Sequence, residues 1–386
     1  MSRINDLIKE LCPNGVKFDK LENVTLLRAG DRITTAMMSN SFEYDVVGGG
    51  ILPTGKYNNY NREHCITISR AGSAGFVNWK EGKFWATDVC FTAVKNNDYM
   101  NIKFIYHYLK NAQKDLQQHL YGGSMPKLEK NYLWSYLIPI PPIEIQEEIV
   151  RILDKFGELE AELEAELEAR KSQYEFWRGK LLNNDNLVII GDLLEDKGYI
   201  RGPFGSALVK ADMVFEGIPV YEQQHAIYNH RNFRYFISLD KAKKLERFSI
   251  NPNDLIISCS GTVGKVSVIS DDDPKGIINQ ALLILRLNKK LIMPKYMKYY
   301  LESPVGYRSI TSNTNKSAQV NIANREAIEK IKISVPSLEQ QKHIVNILDK
   351  FDALVNDISE GLPAEIELRR KQYEYYRNKL LSFEEL

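Results

Sequence analysis

Pro141-Pro142-Ile143-Glu144-Ile145-Gln146-Glu147-Glu148-Ile149-Val150-Arg151-Ile152-Leu153-Asp154-Lys155-Phe156 returns as Pro336-Ser337-Leu338-Glu339-Gln340-Gln341-Lys342-His343-Ile344-Val345-Asn346-Ile347-Leu348-Asp349-Lys350-Phe351, with Gln146 and Gln341 offset by 195 residues. Further on, Arg170-Lys171-Ser172-Gln173-Tyr174-Glu175-Phe176-Trp177-Arg178 returns as Arg369-Arg370-Lys371-Gln372-Tyr373-Glu374-Tyr375-Tyr376-Arg377, where Gln173 and Gln372 are offset by 199. The second copy therefore carries four more residues in its middle. Internal repetition of this kind sets the architecture before any local detail. The regions ahead of each copy share a skeleton and little text. Ile66-Thr67-Ile68-Ser69-Arg70-Ala71-Gly72-Ser73-Ala74-Gly75 parallels Leu255-Ile256-Ile257-Ser258-Cys259-Ser260-Gly261-Thr262-Val263-Gly264. The chain thus reads variable, constant, variable, constant.

Each constant segment reads as a long helix. Ile149, Leu153, Phe156, Leu159, Leu163 and Leu167 recur at steps of three and four, as do Ile344, Ile347, Phe351, Leu354 and Ile358, which is the spacing of a coiled-coil seam. Leu348, Trp177 and Tyr376 are further pairing positions. Both helices begin after prolines, at Pro142 and Pro336. Gly361-Leu362-Pro363 interrupts the second, because proline removes a backbone donor and clashes with the preceding turn. One such seam alone reads as a helix packing on its own domain. Two copies, each closing a divergent domain, read as an antiparallel pair with pseudo-two-fold symmetry. In the variable parts, residues 45–47, 65–68 and 255–257 read as strands, and 101–120 and 294–303 as helices.

The chain has 386 residues, 44% hydrophobic and 26% charged, which suits a folded multidomain protein. It has no apolar run long enough for a transmembrane helix and no signal-peptide pattern. Its four cysteines form no C-x-x-C pair, so a zinc knuckle is not expected and a reducing cytoplasm is.

In organisation and local text the whole chain resembles the specificity subunits of type I restriction-modification enzymes. The resemblance rests on the doubled layout, on the Pro139–Gln146 and Ile333–Gln341 entries into the helices, and on the glycine turns at 69–75 and 258–264. Tyr221-Glu222-Gln223-Gln224-His225-Ala226-Ile227 and Phe204-Gly205-Ser206-Ala207-Leu208 resemble one type of second recognition domain. The implied fold class is α+β: two mixed α/β target-recognition domains, each followed by a long helix, with the two helices paired as an antiparallel coiled coil. The expected segments are 1–140 and 183–335 for the recognition domains, and 141–182 and 336–386 for the helical spacers. The resemblance implies that each domain reads one half of a bipartite, asymmetric double-stranded DNA site while the helices set the gap. Two modification subunits and further restriction subunits would be the partners. S-adenosylmethionine, ATP and magnesium would belong to those partners, with no cofactor or metal in this chain.

Base reading needs donors and acceptors on loops that reach a groove. The first domain offers Lys56, Tyr57, Asn58, Asn59, Tyr60 and Arg62. The second offers Gln223, Gln224, His225, Arg231 and Arg234, with glutamine suited to adenine and arginine to guanine. These also read simply as polar surface loops. Ser69, Arg70, Ser73, Ser258, Ser260, Thr262 and Lys265 are candidates for phosphate contact on glycine turns that expose N–H groups, or they are structural turns. Asn315 and Lys316 are candidates in a later loop.

A net charge of +1 sits awkwardly with DNA binding, which phosphate neutralisation dominates. Glu158, Glu160, Glu162, Glu164, Glu166 and Glu168 form an acidic helix run, a solvated face or a docking face, balanced by cations elsewhere. Weak DNA binding by the isolated chain is the expectation. Catalytic readings fail on residue type. Asn251-Pro252-Asn253-Asp254 lacks the second proline and the aromatic residue of an amino-methyltransferase loop. Cys259 and Val266 break a phosphate-loop pattern around Gly264-Lys265. Asp271-Asp272-Asp273 before Pro274 reads as a turn. A self-contained methyltransferase or nuclease and a structural coiled-coil adaptor stay as alternatives.

Overall fold

A computed structural model describes residues 2–183, 185–311, 322 and 324–386. Five helices matter to the function: α1 (Ile102–Asn111), α2 (Ile143–Leu181), α3 (Pro294–Glu302), α4 (Leu338–Asn356) and α5 (Leu362–Leu380). The chain forms two compact units, residues 1–164 with 365–386, and residues 165–364. No helix among the described residues is long and apolar enough to cross a membrane.

The first unit is built on a six-stranded sheet. Its order is Thr25–Ala29, Cys90–Lys95, Arg62–Ser69, Val77–Ala86, Tyr44–Val47 and Gly55–Tyr57, antiparallel except where Tyr44–Val47 lies parallel to Val77–Ala86. Strand Arg62–Ser69 ends in five consecutive buried residues, as a central strand covered on both faces requires. Ile66, Ile68, Phe91, Phe104, Ile105 and Leu109 form the core with Ile149 and Leu153 of α2 and Leu380 of α5. The second unit repeats the first four of these strands in the same order: Leu194–Arg201, Leu282–Leu287, Leu255–Ser258 and Val266–Val268. Its core gathers Leu255, Ile257, Leu283, Leu285, Tyr296 and Met297 with Tyr174 of α2 and Ile344 and Leu348 of α4. A second small sheet, Met213–Val214, Phe236–Ile237, Ile218–Tyr221 and Ile277–Ile278, echoes the outer strands of the first unit: Ile218–Tyr221 lies parallel to Ile277–Ile278 and antiparallel to Phe236–Ile237, as Tyr44–Val47 lies parallel to Val77–Ala86 and antiparallel to Gly55–Tyr57.

The two helix entries share the same three backbone bonds. Gln146 is fully buried, its carbonyl accepts from Asn101 N at 2.7 Å, and its amide donates to the Tyr99 and Pro141 carbonyls at 3.0 and 2.8 Å. Gln341, equally buried, accepts from Met293 N at 2.8 Å and donates to the Leu291 and Pro336 carbonyls at 3.1 and 2.9 Å. These bonds explain the repeated glutamine: it fastens the start of each long helix to the backbone of its own domain.

α2 is an unbroken helix of 39 residues, about 58 Å at about 1.5 Å per residue. Its Glu, Leu and Ala content favours helix, and pairs such as Arg170–Glu166 and Lys171–Glu168, at 2.8 and 3.0 Å, support the exposed face. In the first unit Phe156 of α2 meets Tyr376 and Tyr373 of α5, with ring centroids 5.6 and 6.0 Å apart. Arg370 of α5 donates to Glu160 and Glu164 at 2.8 and 3.0 Å. Advancing along α2 thus means retreating along α5, so the two run antiparallel. In the second unit Tyr174 of α2 stacks on Phe351 of α4 at 6.1 Å. The acidic run is in part consumed here, since Glu160 and Glu164 hold Arg370.

The second copy is split. α4 ends at Asn356, and Asp357 Oδ1 accepts from the Ser359 amide and hydroxyl at 2.7 and 2.6 Å, which turns the chain. Gly361 then packs so closely on the end of α4 that a Cβ would stand 2.5 Å from the Ala353 carbonyl oxygen. α5 restarts with Pro363 in its first turn, where a missing N–H costs nothing. One pairing expectation needs correction. Ile358 lies past the end of α4 and is 86% exposed, because the Asp357 turn stops the periodicity. Trp177 is half-buried against Phe176 and Lys180 of its own helix, at 5.5 and 5.1 Å. Leu163 and Leu167 are half-buried, and Leu167 packs on the second unit's core.

Candidate nucleic-acid interface

The glycine turns of the two units are the same structure. Gly72 and Gly75 have φ of 77° and 78°, and Gly261 and Gly264 have 64° and 82°, all in the left-handed region that glycine tolerates. Gly75 N donates to Ser69 O at 2.8 Å, and Gly264 N donates to Ser258 O at 2.8 Å. Some of the turn N–H groups are used within the fold. Ser69, Arg70, Ser73 and Gly75 all donate to backbone carbonyls, Ser73 to Gly49 O at 2.7 Å. Ser258 is fully buried; its hydroxyl donates to Thr262 O at 2.6 Å and accepts from Lys265 N at 3.0 Å. Ser69 and Ser258 therefore shape the turn and lie off the surface. Ser260, Thr262 and the Lys265 side chain remain accessible.

In the first unit, Asn58, Asn59 and Tyr60 are exposed beyond the edge strand that carries Lys56 and Tyr57. Tyr57 stands edge-on to Trp85 at 5.0 Å, and Tyr60 packs on Tyr44 at 5.3 Å with Lys83 Nζ 4.4 Å over its ring. The result is a rigid aromatic edge with two amides at its tip. Arg62 departs from expectation. Its guanidinium donates to Thr92 Oγ1, Asn61 O and Ala29 O at 2.9, 2.6 and 2.8 Å, so it braces the sheet end.

The structure also brings together residues far apart in the chain. A concavity of about 630 Å³ in the first unit is lined by Arg28, Arg62, Arg70, Lys130, Asp31, Phe91 and Trp134 among others. Arg70 lies over Phe91 at 5.7 Å, Phe91 meets Trp134 edge-to-face at 5.0 Å, and Lys130 lies over Trp134 at 5.4 Å. Of these cations the sequence reading singled out Arg62 and Arg70 and missed Arg28 and Lys130. Lys130 and Trp134, four apart on one short helix, carry the one local signal that was available.

In the second unit, two expected readers belong to the fold. His225 is fully buried; Nδ1 accepts from Glu222 N at 2.7 Å and Nε2 donates to Asn232 O at 3.1 Å. Burial pushes its pKa below the ordinary value, keeping the ring neutral. Arg231 bridges Asp273 at 2.8 Å, Ser267 Oγ at 3.1 Å and His230 O at 3.1 Å, with only 18% of its side chain exposed. Arg234 is exposed at its side chain but bidentate on the buried Glu222, at 2.8 and 2.9 Å. Gln223 and Gln224 begin a short helix, and Gln223 lies against the Gly261 turn, its Nε2 3.1 Å from where a Cβ would be. The structure therefore groups Gln223, Ser260 and Thr262 on one accessible patch. Asn315 and Lys316 lie outside the described residues.

Comparison with known proteins agrees with this construction. The sequence profile described as the type I restriction modification DNA specificity domain matches residues 13–169 and 205–368, one match for each half of the repeat. A putative type I restriction enzyme specificity subunit of Haemophilus influenzae is 34% identical over 332 residues, which cover 82% of each chain. The Escherichia coli EcoR124I/EcoR124II specificity subunit is 31% identical over 298 residues, covering 73% of this chain and 71% of that one. The crystal structure of the type I restriction-modification S subunit of Mycoplasma genitalium has the same fold, with a TM-score of 0.61 at 16% identity over 96% of this chain and 97% of that one. With both halves of the repeat matched and the fold shared from end to end, the chain belongs to the type I restriction-modification DNA-specificity family.

Proposed function

We propose that this chain is the sequence-reading subunit of a type I restriction-modification enzyme, each unit reading one half of a split DNA site. The observation that carries this is the doubled mount. The same glutamine bonds and the same glycine turn recur in both units, while the accessible side chains around them differ. An unlike pair of readers on like supports suits an asymmetric, bipartite target. α2, α4 and α5 set the gap between half-sites and dock two modification subunits; restriction subunits complete the assembly. Methyl transfer with S-adenosylmethionine, and ATP- and magnesium-dependent translocation and cleavage, belong to those partners, and this chain contributes no catalytic group. The assembly works in the cytoplasm.

The test is an exchange of residues 183–335 for the equivalent segment of a related chain, followed by mapping of methylated adenines in cells that express the complete system. The expected result is one altered half-site, the other half-site retained, and an unchanged gap. Retention of both half-sites would reduce the chain to an adaptor, and methylation by this chain alone would make it an enzyme.

A further inference from the structure

Arg28 is the penultimate residue of a strand, Arg70 sits in the glycine turn, and Lys130 opens a short helix, yet all three line one concavity of the first unit. Some cations near this sheet are neutralised: Lys80 by Asp45 at 2.6 Å, Lys103 by Glu81 at 3.3 Å. Arg28, Arg70 and Lys130 form no salt bridge among the described residues. Asp31, the carboxylate of the lining, already accepts from Asn61 Nδ2 at 2.7 Å. Arg62 is spent on the sheet and adds its field. The local excess of charge is therefore positive in a chain whose net charge is +1.

Two further features make this a built seat. The Arg70 backbone is held on both sides, its N–H donating to Val89 O at 2.9 Å and its carbonyl accepting from Leu128 N at 2.8 Å. The charged groups of Arg70 and Lys130 rest on Phe91 and Trp134, which limits their rotamers before any ligand arrives. Among its described residues the second unit does not repeat these three cations. Cys259, fully buried, stands where the turn of the first unit has Arg70. Arg325 opens the short helix that corresponds to Lys130–Trp134, and it is paired with Glu329 at 2.7 Å.

We infer that this concavity seats the phosphodiester backbone of duplex DNA, with Arg28, Arg70 and Lys130 each against a phosphate, and that the first unit is the electrostatic anchor of the pair. The inference rests on the reading of the chain as a DNA-specificity subunit. Phosphate contacts fix position and carry no sequence information, so the seat orients the reader while the aromatic edge and loops choose bases.

The test is fluorescence anisotropy of the full chain with cognate and scrambled duplexes across a salt series. Each of Arg28→Gln, Arg70→Gln and Lys130→Gln is expected to flatten the slope of log K against log salt by about 0.9, and the triple variant by about 2.7. Arg70→Lys and Arg325→Gln should keep the wild-type slope. The losses should be equal for the two duplexes, and the unfolding temperatures unchanged. A triple variant with the wild-type slope overturns the seat and leaves the proposed function standing. Losses confined to the cognate duplex overturn it too, by making these residues base readers. A wild-type chain with no salt-dependent duplex binding also overturns the seat, while the proposed function stands or falls on the exchange of residues 183–335.

Discussion

Asp154 accepts a hydrogen bond from Nε2 of His107 at 2.8 Å, tying α2 to α1. The second unit makes the same tie with a different donor: the Tyr299 hydroxyl donates to Asp349 at 2.7 Å, linking α3 to α4. The His107 N–H holds the Asp154 carboxyl below the usual carboxylate range. A depressed folded pKa gives stability that is present above the unfolded value, about 3.9, and lost as pH falls through the folded one. Urea midpoints of wild type and Asp154→Asn should therefore differ at pH 7 and converge as pH drops below about 4. A gap that does not narrow at all as pH falls from 7 through the carboxylate range would show that the charge is not what matters.

The glutamine mounts should be costly to remove and alike in cost. Gln146→Ala leaves the Asn101 N–H and the Tyr99 and Pro141 carbonyls without a partner, and Gln341→Ala does the same to Met293, Leu291 and Pro336. We expect a loss of about 2–4 kcal/mol in each case by denaturant unfolding. A loss under about 1 kcal/mol in either would mean that water replaces the side chain.

Phe156 and Tyr376 offer a direct measure of helix pairing within the first unit, their rings 5.6 Å apart. A double-mutant cycle with Phe156→Ala and Tyr376→Ala should give a coupling of about 0.5–1.5 kcal/mol. Coupling near zero would mean that the two helices touch without supporting each other.

Arg231 should behave as a structural residue. Its guanidinium and Asp273 are largely buried, at 18% and 11% exposure, so Arg231→Ala strands a carboxylate. The expected destabilisation is about 3 kcal/mol, with the recognised sequence unchanged when methylation is mapped below the unfolding temperature. A stable variant with an altered half-site would restore Arg231 as a reader.

Adding Ala-Glu-Leu-Glu between Glu164 and Ala165 lengthens the continuous helix α2 by about 6 Å, at about 1.5 Å per residue. The mapped gap between half-sites should grow by roughly one to two base pairs, given about 3.4 Å per base pair. The same four residues placed within the 357–361 turn should leave the gap alone, because a turn absorbs them. Equal responses at both places would dissociate helix length from spacing.

What the sequence carried was periodic or duplicated. The seam residues Ile149, Leu153, Ile344 and Leu348 are buried where their spacing put them, and Gly361-Leu362-Pro363 marked the split in the second helix. Ile358 continued the spacing but not the helix, because one aspartate at 357 turned the chain. Residue type misled at His225 and Arg231, whose partners at Asn232 and Asp273 come from loops that only the folded sheet brings near. Arg28, Arg70 and Lys130 were scattered in the text and become one feature through sheet order, which no local pattern encodes.

Six of the bonds by which Gln146 and Gln341 grip their domains end on main-chain atoms, and the one side-chain contact is long, from Gln146 Nε2 to Met100 Sδ at 3.5 Å. Such a socket is blind to the identity of what it holds and asks only that the plug follow the right path. A recognition domain can thus drift in nearly all of its surface, or be traded for another by recombination within the duplicated gene, without any compensating change in the helices. The versatility of the reader is purchased by the indifference of its mounting.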